Sequence, residues 1–196
     1  MSGAGPDALV PARPASTVML LRPAPAGFEV FLQRRVPTMA FAAGITVFPG
    51  GALDPGDVDL RATAVREVLE ETGVVLDPAT LLPWARWVTP QGEPRRYDTV
   101  FFVAELPPGQ QPRAVGTEMD HVVWLSPAAA LAARVRGELA MWPPTIVTLR
   151  ELADCADINA VLHAAGQRRL EPVLPQRVDD AGGPAVRLPD GQVMRL

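Results

Sequence analysis

Lysine is absent from this chain of 196 residues, and all 18 basic side chains are arginine. Schiff-base chemistry and a lysine nucleophile are thereby excluded. Cysteine is almost absent: Cys155 stands alone, so there is no intramolecular disulfide and no cysteine-rich zinc site. The two histidines, His121 and His163, are isolated from one another and read as structural. No Ser-His-Asp or Cys-His arrangement is apparent. Positive charge is in short supply, since the formal net charge is -4, which leaves no basic footprint for nucleic-acid binding. No apolar run approaches the roughly 20 residues of a membrane helix. The N-terminus lacks a basic region followed by an apolar core, so no secretion signal and a cytoplasmic location are expected.

What is present is concentrated in one short stretch. Residues 66–74 read Arg-Glu-Val-Leu-Glu-Glu-Thr-Gly-Val, which puts Glu67, Glu70 and Glu71 at i, i+3 and i+4 of one helix. Crowding like charges costs a helix roughly 0.2–0.5 kcal/mol per i,i+4 pair. A divalent cation reverses the sign of that cost, and Mg²⁺ takes carboxylates while keeping waters and substrate phosphates as its other ligands. Ala64, Val65, Val68 and Leu69 fall on the opposite side, so one face can be buried while the other meets a ligand. Arg66 flanks the acidic arc and reaches Glu70 at i+4. Gly73 is a natural C′ residue. By itself this pattern also fits an ordinary solvated face on an amphipathic helix.

The upstream segment favours the ligand reading. Phe48-Pro49-Gly50-Gly51 forms a loop in which two glycines let the backbone approach a ligand without a Cβ in the way. Asp54-Pro55-Gly56-Asp57 is turn chemistry leading into the helix, with Asp57 or Asp59 as its N-cap. Glycine loop, capped helix and clustered glutamates, in that order, suit a metal–pyrophosphate site.

At these residues the chain resembles the Nudix hydrolases. The family box is Gly, five residues, Glu, seven residues, then Arg-Glu-U-x-Glu-Glu-x-Gly-U, with U a bulky aliphatic residue. Arg66, Glu67, Val68, Glu70, Glu71, Gly73 and Val74 match the second half in full. The first half departs from it. Five residues on from Gly51 stands Asp57 rather than Glu, and eight residues separate Asp57 from Arg66. Beyond the box, Leu32-Gln33-Arg34-Arg35 and Gly44-Ile45-Thr46-Val47 are similar to the coenzyme A-hydrolysing branch, without the Arg expected between them. Arg86-Trp87-Val88-Thr89-Pro90, Arg95-Arg96-Tyr97-Asp98-Thr99 and Trp142-Pro143-Pro144-Thr145 resemble the peroxisomal coenzyme A diphosphatases and their bacterial relatives.

The resemblance implies Mg²⁺ or Mn²⁺ held by Glu67, Glu70 and Glu71, with the Gly51 carbonyl as a further ligand and Arg66 supporting catalysis. Glu67 is the first choice of general base. Glu118, ahead of the strand ending in Trp124, is the second, with Asp120 a near rival; an exposed loop acid is the plain alternative for Glu118. Arg95 and Arg96 are candidate clamps for substrate phosphates, as are Arg34 and Arg35, although strand alternation lets only one of each pair face a given side. Gly50 and Gly51 would lie against the substrate. Tyr97, Phe101 and Phe102 are candidates to stack a base, against the commoner core reading of strand aromatics. The implied activity is metal-dependent hydrolysis of a nucleoside diphosphate linked to another moiety, coenzyme A or an acyl derivative leading, with NADH or ADP-ribose as a close variant. A non-catalytic nucleotide sensor is the other class, and three intact carboxylates argue against it. A homodimer is compatible with the Pro-rich C-terminal region.

The fold expected is α+β, a mixed sheet sandwiched by helices. Residues 1–15 read as a disordered tail and 16–196 as one domain with a Pro-rich extension. Residues 17–21 and 28–34 read as a hairpin, 45–48, 74–76, 86–89, 97–105 and 121–125 as further strands. Ser126-Pro127 opens an Ala-rich helix that Gly137 closes, two helical stretches flank Asp157, and residues from 170 on run extended with a turn at Pro189-Asp190-Gly191.

Overall fold

The computed structural model describes residues 10–38, 42–181 and 183–196. Its organising element is a long strand, β1 (Arg13–Ala24), whose residues Val18, Met19, Leu20 and Leu21 are all fully buried. A strand apolar on both faces has to lie inside a sheet that is covered on both sides. β1 turns through two residues into β2 (Gly27–Arg35), with Leu21 opposite Val30 and Ala24 opposite Gly27. Gly27 sits at φ 110°, the left-handed region that closes the hairpin.

β2 pairs outward with β3 (Thr46–Val47) and, further down the chain, with β7 (Met119–Leu125). Along its other edge β1 runs parallel to β6 (Tyr97–Glu105), which pairs with β5 (Leu82–Val88), and β5 with β8 (Pro172–Val173). On the edge where its second half meets β2, the first half of β1 takes β4 (Gly50–Ala52) as an antiparallel neighbour, Thr17 opposite Gly50 and Ser16 opposite Gly51. The glycine segment expected as a loop is therefore a short strand locked to the central strand. Val18 N–H donates to the Pro49 carbonyl at 2.8 Å and the Thr17 hydroxyl to the same oxygen at 2.6 Å, which holds it there.

Side-chain alternation then sorts the core into two layers. Val18, Leu20, Phe31, Phe102 and Ala104 meet Ala64 and Val68 of α1 (Leu60–Thr72). Met19, Leu21, Val30, Phe101 and Val103 meet α2 (Pro127–Val135), α3 (Pro143–Ala153) and α4 (Ile158–Gln167) through Ala130, Ile146, Leu149 and Val161. The result is the α+β sandwich, a mixed sheet with one helix on one face and three on the other. Side-chain caps set three of the helix starts, Asp59 for α1, Ser126 for α2 and Asp157 for α4, each worth about 1 kcal/mol.

Several expectations need correction. Residues 1–9 of the expected tail lie outside the described residues, and Arg13–Ala15 are strand, held by β4 and β6. Residues 74–76 are irregular, and the Gln110 side chain rather than a strand takes up the Val75 backbone, accepting from its N–H at 2.7 Å and donating to its carbonyl at 2.8 Å. Leu69 is 46% exposed; the buried ridge of α1 runs Ala64, Val68, Thr72 in steps of four, and Thr72 satisfies its hydroxyl on the Val68 carbonyl at 2.6 Å. The C-terminal region is a second, three-stranded antiparallel sheet of β9 (Gln176–Asp180), β10 (Gly183–Arg187) and β11 (Val193–Arg195). Its Val186, Leu188 and Met194 join the larger core cluster, so it is docked rather than trailing.

Candidate active site

The start of α1 is organised around Arg66. Asp59 caps the helix, accepting from Arg61 and Ala62 N–H groups. Asp57 instead accepts from Arg66 Nε at 3.1 Å and Nη2 at 2.9 Å, and also from the Thr63 hydroxyl and the Asp54 N–H. The shorter acid and the extra residue in the first half of the box thus leave Arg66 gripped in a two-pronged pair. Arg66 also donates to the Ala52 carbonyl, tying α1 to β4. Hydrogen bonding by Arg66 holds the Asp57 carboxyl far below the usual carboxylate range.

A pH dependence follows. A carboxyl depressed on folding contributes stability above its unfolded value of about 3.9, lost as pH falls towards the folded one. Asp57→Asn is expected to lower unfolding free energy at neutral pH by about 2 kcal/mol. Urea melts of both proteins should show that gap closing as pH falls below about 4. A gap unchanged by pH would mean the pair contributes nothing.

Arg66 next meets the acidic arc: its Nη1 donates to Glu67 at 2.9 Å and to Glu70 at 3.2 Å. Glu71 turns to the sheet, accepting from Gly50 N–H at 2.9 Å and from Gln33 Nε2 at 2.6 Å. Burial pushes its carboxyl up to about 7 against those two donors. Burial likewise raises Glu67, opposed by Arg66. Gly51 packs so closely on Glu67 that a Cβ there would collide with the carboxylate.

These groups line one cavity of about 800 Å³, which also takes in Arg35, Arg95, Glu118, Tyr97 and Phe101. Of the sequence candidates, Gly50, Gly51, Arg35, Arg66, Glu67, Glu70, Glu71, Arg95 and Glu118 are brought together there. Arg96 is not. Its side chain is buried and donates to the carbonyls of Thr89, Pro90 and Val10, so it staples the β5–β6 connection and cannot clamp phosphate. Arg96→Ala is accordingly expected to cost about 2 kcal/mol in thermal or urea unfolding, whereas Arg95→Ala should leave stability within about 0.5 kcal/mol and raise KM.

Alternation resolves the other pair. Arg34 forms a forked pair with Asp120 outside the cavity, which removes Asp120 as a rival base, while Arg35 faces in and lies 4.0 Å from Glu118. Phe102 is core on the α1 side. Gln33 stands in the Leu32-Gln33-Arg34-Arg35 run, but the sequence assigned it no role at the site, because its neighbours read as an ordinary strand. A polar side chain among buried apolar ones was the available signal.

A divalent cation fits the donor chemistry, which is carboxylate oxygen beside the Gly51 backbone. Ser16 Oγ and Arg35 Nε, on residues that line the cavity, are buried without a hydrogen-bond partner, which suits a polar ligand there. The arc is less convergent than helix spacing suggested. Among the described residues no three His, Cys, Asp or Glu side chains surround one point. Arg66 shares itself between Glu67 and Glu70, and Glu71 is drawn to the sheet; binding an ion means exchanging Arg66 at two of them.

Residues 11–145 match the family model for the NUDIX domain. The chain belongs to the Nudix family. A crystal structure of a NUDIX hydrolase from Alicyclobacillus acidocaldarius superimposes with a TM-score of 0.72 at 28% identity, over 78% of this chain and 96% of that one. Curated relatives include the putative nudix hydrolase 7 of Caenorhabditis elegans, 23% identical over 79% of this chain and 65% of that protein. Another is the acyl-coenzyme A diphosphatase NUDT19 of Gallus gallus, 25% identical over 83% of this chain and 56% of that protein. The chain spans less than two thirds of the length of these curated relatives. No helix among the described residues is long and apolar enough to cross a membrane.

Proposed function

We propose that this chain hydrolyses the diphosphate of a nucleoside diphosphate linked to a second moiety, with coenzyme A or an acyl derivative as the leading substrate. The observation that carries this reading is the single cavity in which three carboxylates of α1 face Arg35, Arg95 and the glycine strand. Similarity to acyl-coenzyme A diphosphatases supports the choice of substrate. Bound Mg²⁺ or Mn²⁺ would neutralise the diphosphate and lower the pKa of the attacking water.

The chain's own residues do the rest. Glu67, Glu70 and Glu71, with the Gly51 carbonyl, would hold the cation once it replaces Arg66 at Glu67 and Glu70, and Arg66 would stay beside them on its Asp57 anchor. Arg35 and Arg95 bind the phosphates from the other wall, where guanidinium groups suit their geometry. Glu67, half-buried and raised by that burial, accepts the proton of water; Glu118 on its exposed loop is the second candidate. Water oxygen adds to one phosphorus, the P–O–P bridge breaks, and the products are a nucleoside monophosphate and a phosphorylated remainder.

The test is product release from coenzyme A, acyl-coenzyme A, NADH, ADP-ribose and diadenosine polyphosphates, with either metal and with chelator. Metal-dependent cleavage of the coenzyme A class is expected. Cleavage confined to NADH, ADP-ribose or diadenosine polyphosphates would overturn the substrate assignment.

A further inference from the structure

The three carboxylates of α1 are not held alike. Glu67 and Glu70 are held by the Arg66 guanidinium, at 2.9 and 3.2 Å, which an arriving cation can replace. Glu71 is held from the sheet. Gly50 N–H and Gln33 Nε2 both donate to its Oε2, at 2.9 and 2.6 Å. Both bonds fall on one oxygen and leave Oε1 to a ligand, on a residue that lines the cavity. Each donor is fixed in place. Gln33 lies in β2, its backbone paired with Val47 of β3 on one side and Val122 of β7 on the other. Its side chain is buried on the α1 face of the sheet, as is that of Phe31 two residues back. Gly50 is locked opposite Thr17 of the central strand.

Packing alone does not call for an amide at this position. Gln33 Oε1 is buried without a partner, a cost that an apolar side chain of the same length avoids. What the amide supplies in return is an uncharged donor to Glu71. That donor restricts what Glu71 can offer a cation. A carboxylate oxygen has about two lone-pair sites, and at Oε2 two donors fill them, so Glu71 has Oε1 alone to give. One-oxygen ligation suits Mg²⁺, held to an octahedron at about 2.0–2.1 Å, and Mn²⁺, which shares that geometry. Ca²⁺ takes about six to eight oxygens at about 2.3–2.6 Å and gains from carboxylates that chelate through both oxygens.

We propose that Gln33 sets the ion preference of this site: by occupying Oε2 it denies Ca²⁺ a chelating carboxylate and favours the smaller octahedral ions. Gln33 is a positioning residue, acting through Glu71 from outside the acidic helix. The inference rests on the reading of Glu67, Glu70 and Glu71 as metal ligands and adds the residue that makes them selective.

The test is ion binding to the full chain without nucleotide, Mn²⁺ by water proton relaxation and then Ca²⁺ by competition against it. Wild-type protein is expected to bind Mn²⁺ at least about tenfold more tightly than Ca²⁺. Gln33→Met keeps the length and burial of the side chain and removes the donor. Mn²⁺ should then weaken about tenfold while Ca²⁺ holds or tightens, so the preference narrows by at least that factor. Gln33→Asn withdraws the same amide by one methylene, out of reach of Glu71, and should narrow the preference likewise; it serves if Gln33→Met does not fold. A wild-type preference of less than about tenfold overturns the proposal without any variant. Mn²⁺ and Ca²⁺ weakened by one common factor also overturn it, since Gln33 then supports the helix without selecting. So does a preference that neither substitution changes. A protein that shows the expected ratios and cleaves none of the diphosphates retains the selectivity role and loses the hydrolytic reading. Wild-type protein that binds neither ion removes the metal site and this inference together.

Discussion

Glu70→Gln is expected to lower metal-dependent turnover by about a hundred- to a thousand-fold while the protein stays folded. The side chain is 59% exposed and accepts a 3.2 Å bond from Arg66, so its loss should move stability by less than about 0.5 kcal/mol. The amide keeps size and hydrogen bonding but removes a formal charge. Charge is what a cation needs and what the fold does not. Steady-state kinetics beside a thermal melt separate the two, and Mn²⁺ binding followed by water proton relaxation gives a readout independent of activity. A variant that turns over at the wild-type rate would remove Glu70 from the metal site. Unchanged Mn²⁺ affinity with slow turnover would instead assign it to catalysis alone.

The two adjacent glycines are expected to fail in different ways. At Gly50 the backbone sits at φ 151°, and an added Cβ would land on the backbone of Ser16 and Thr17 in the central strand. Neither can move without breaking the pairing of β1 with β4 and β6. Gly50→Ala should therefore cost about 3 kcal/mol or more, seen as a lowered urea midpoint or as insoluble protein. At Gly51 no such φ is involved, and the added Cβ meets only the end of the Glu67 side chain, which can swing away. Gly51→Ala should fold with a midpoint close to wild type and lose most of its turnover. If Gly51→Ala is fully active, Glu67 is neither ligand nor base in its present position. If Gly50→Ala is as stable as wild type, the close approach of β4 to β1 is not what holds the glycine segment.

The contrast between these neighbours shows what kind of information each level carries. The pattern of residues 66–74 is local, and a helix turns it into geometry with no outside help: spacing alone puts Glu67, Glu70 and Glu71 on one side and leaves Gly73 to end the helix at φ 74°. The caps Ser126 and Asp157 were legible for the same reason, since a capping side chain bonds an N–H three residues on. Composition likewise excluded lysine chemistry and disulfides without reference to shape. The hairpin of β1 and β2 and the α+β class also followed from short-range pattern.

Everything that depended on a distant partner waited for the tertiary structure. Arg95 and Arg96 are indistinguishable as residues; only the carbonyls of Thr89, Pro90 and Val10 around one of them make it a structural staple. Arg34 and Arg35 differ because β2 turns one to Asp120 and the other to the cavity. Asp57 looked like a defect in a motif until Arg66 closed on it. Gln33 acquires its role from Glu71, 38 positions later. The C-terminal strands, short and mixed in polarity, carry no local signature of a cavity wall and become one only when Val186 and Met194 dock into the core. By itself the sequence determined the acidic helix and the close glycine approach beside it, because helical periodicity and the missing glycine Cβ act within a few residues. Which arginines reach that site, and what encloses it, was decided by sheet order and packing, where contacts join residues far apart in the chain.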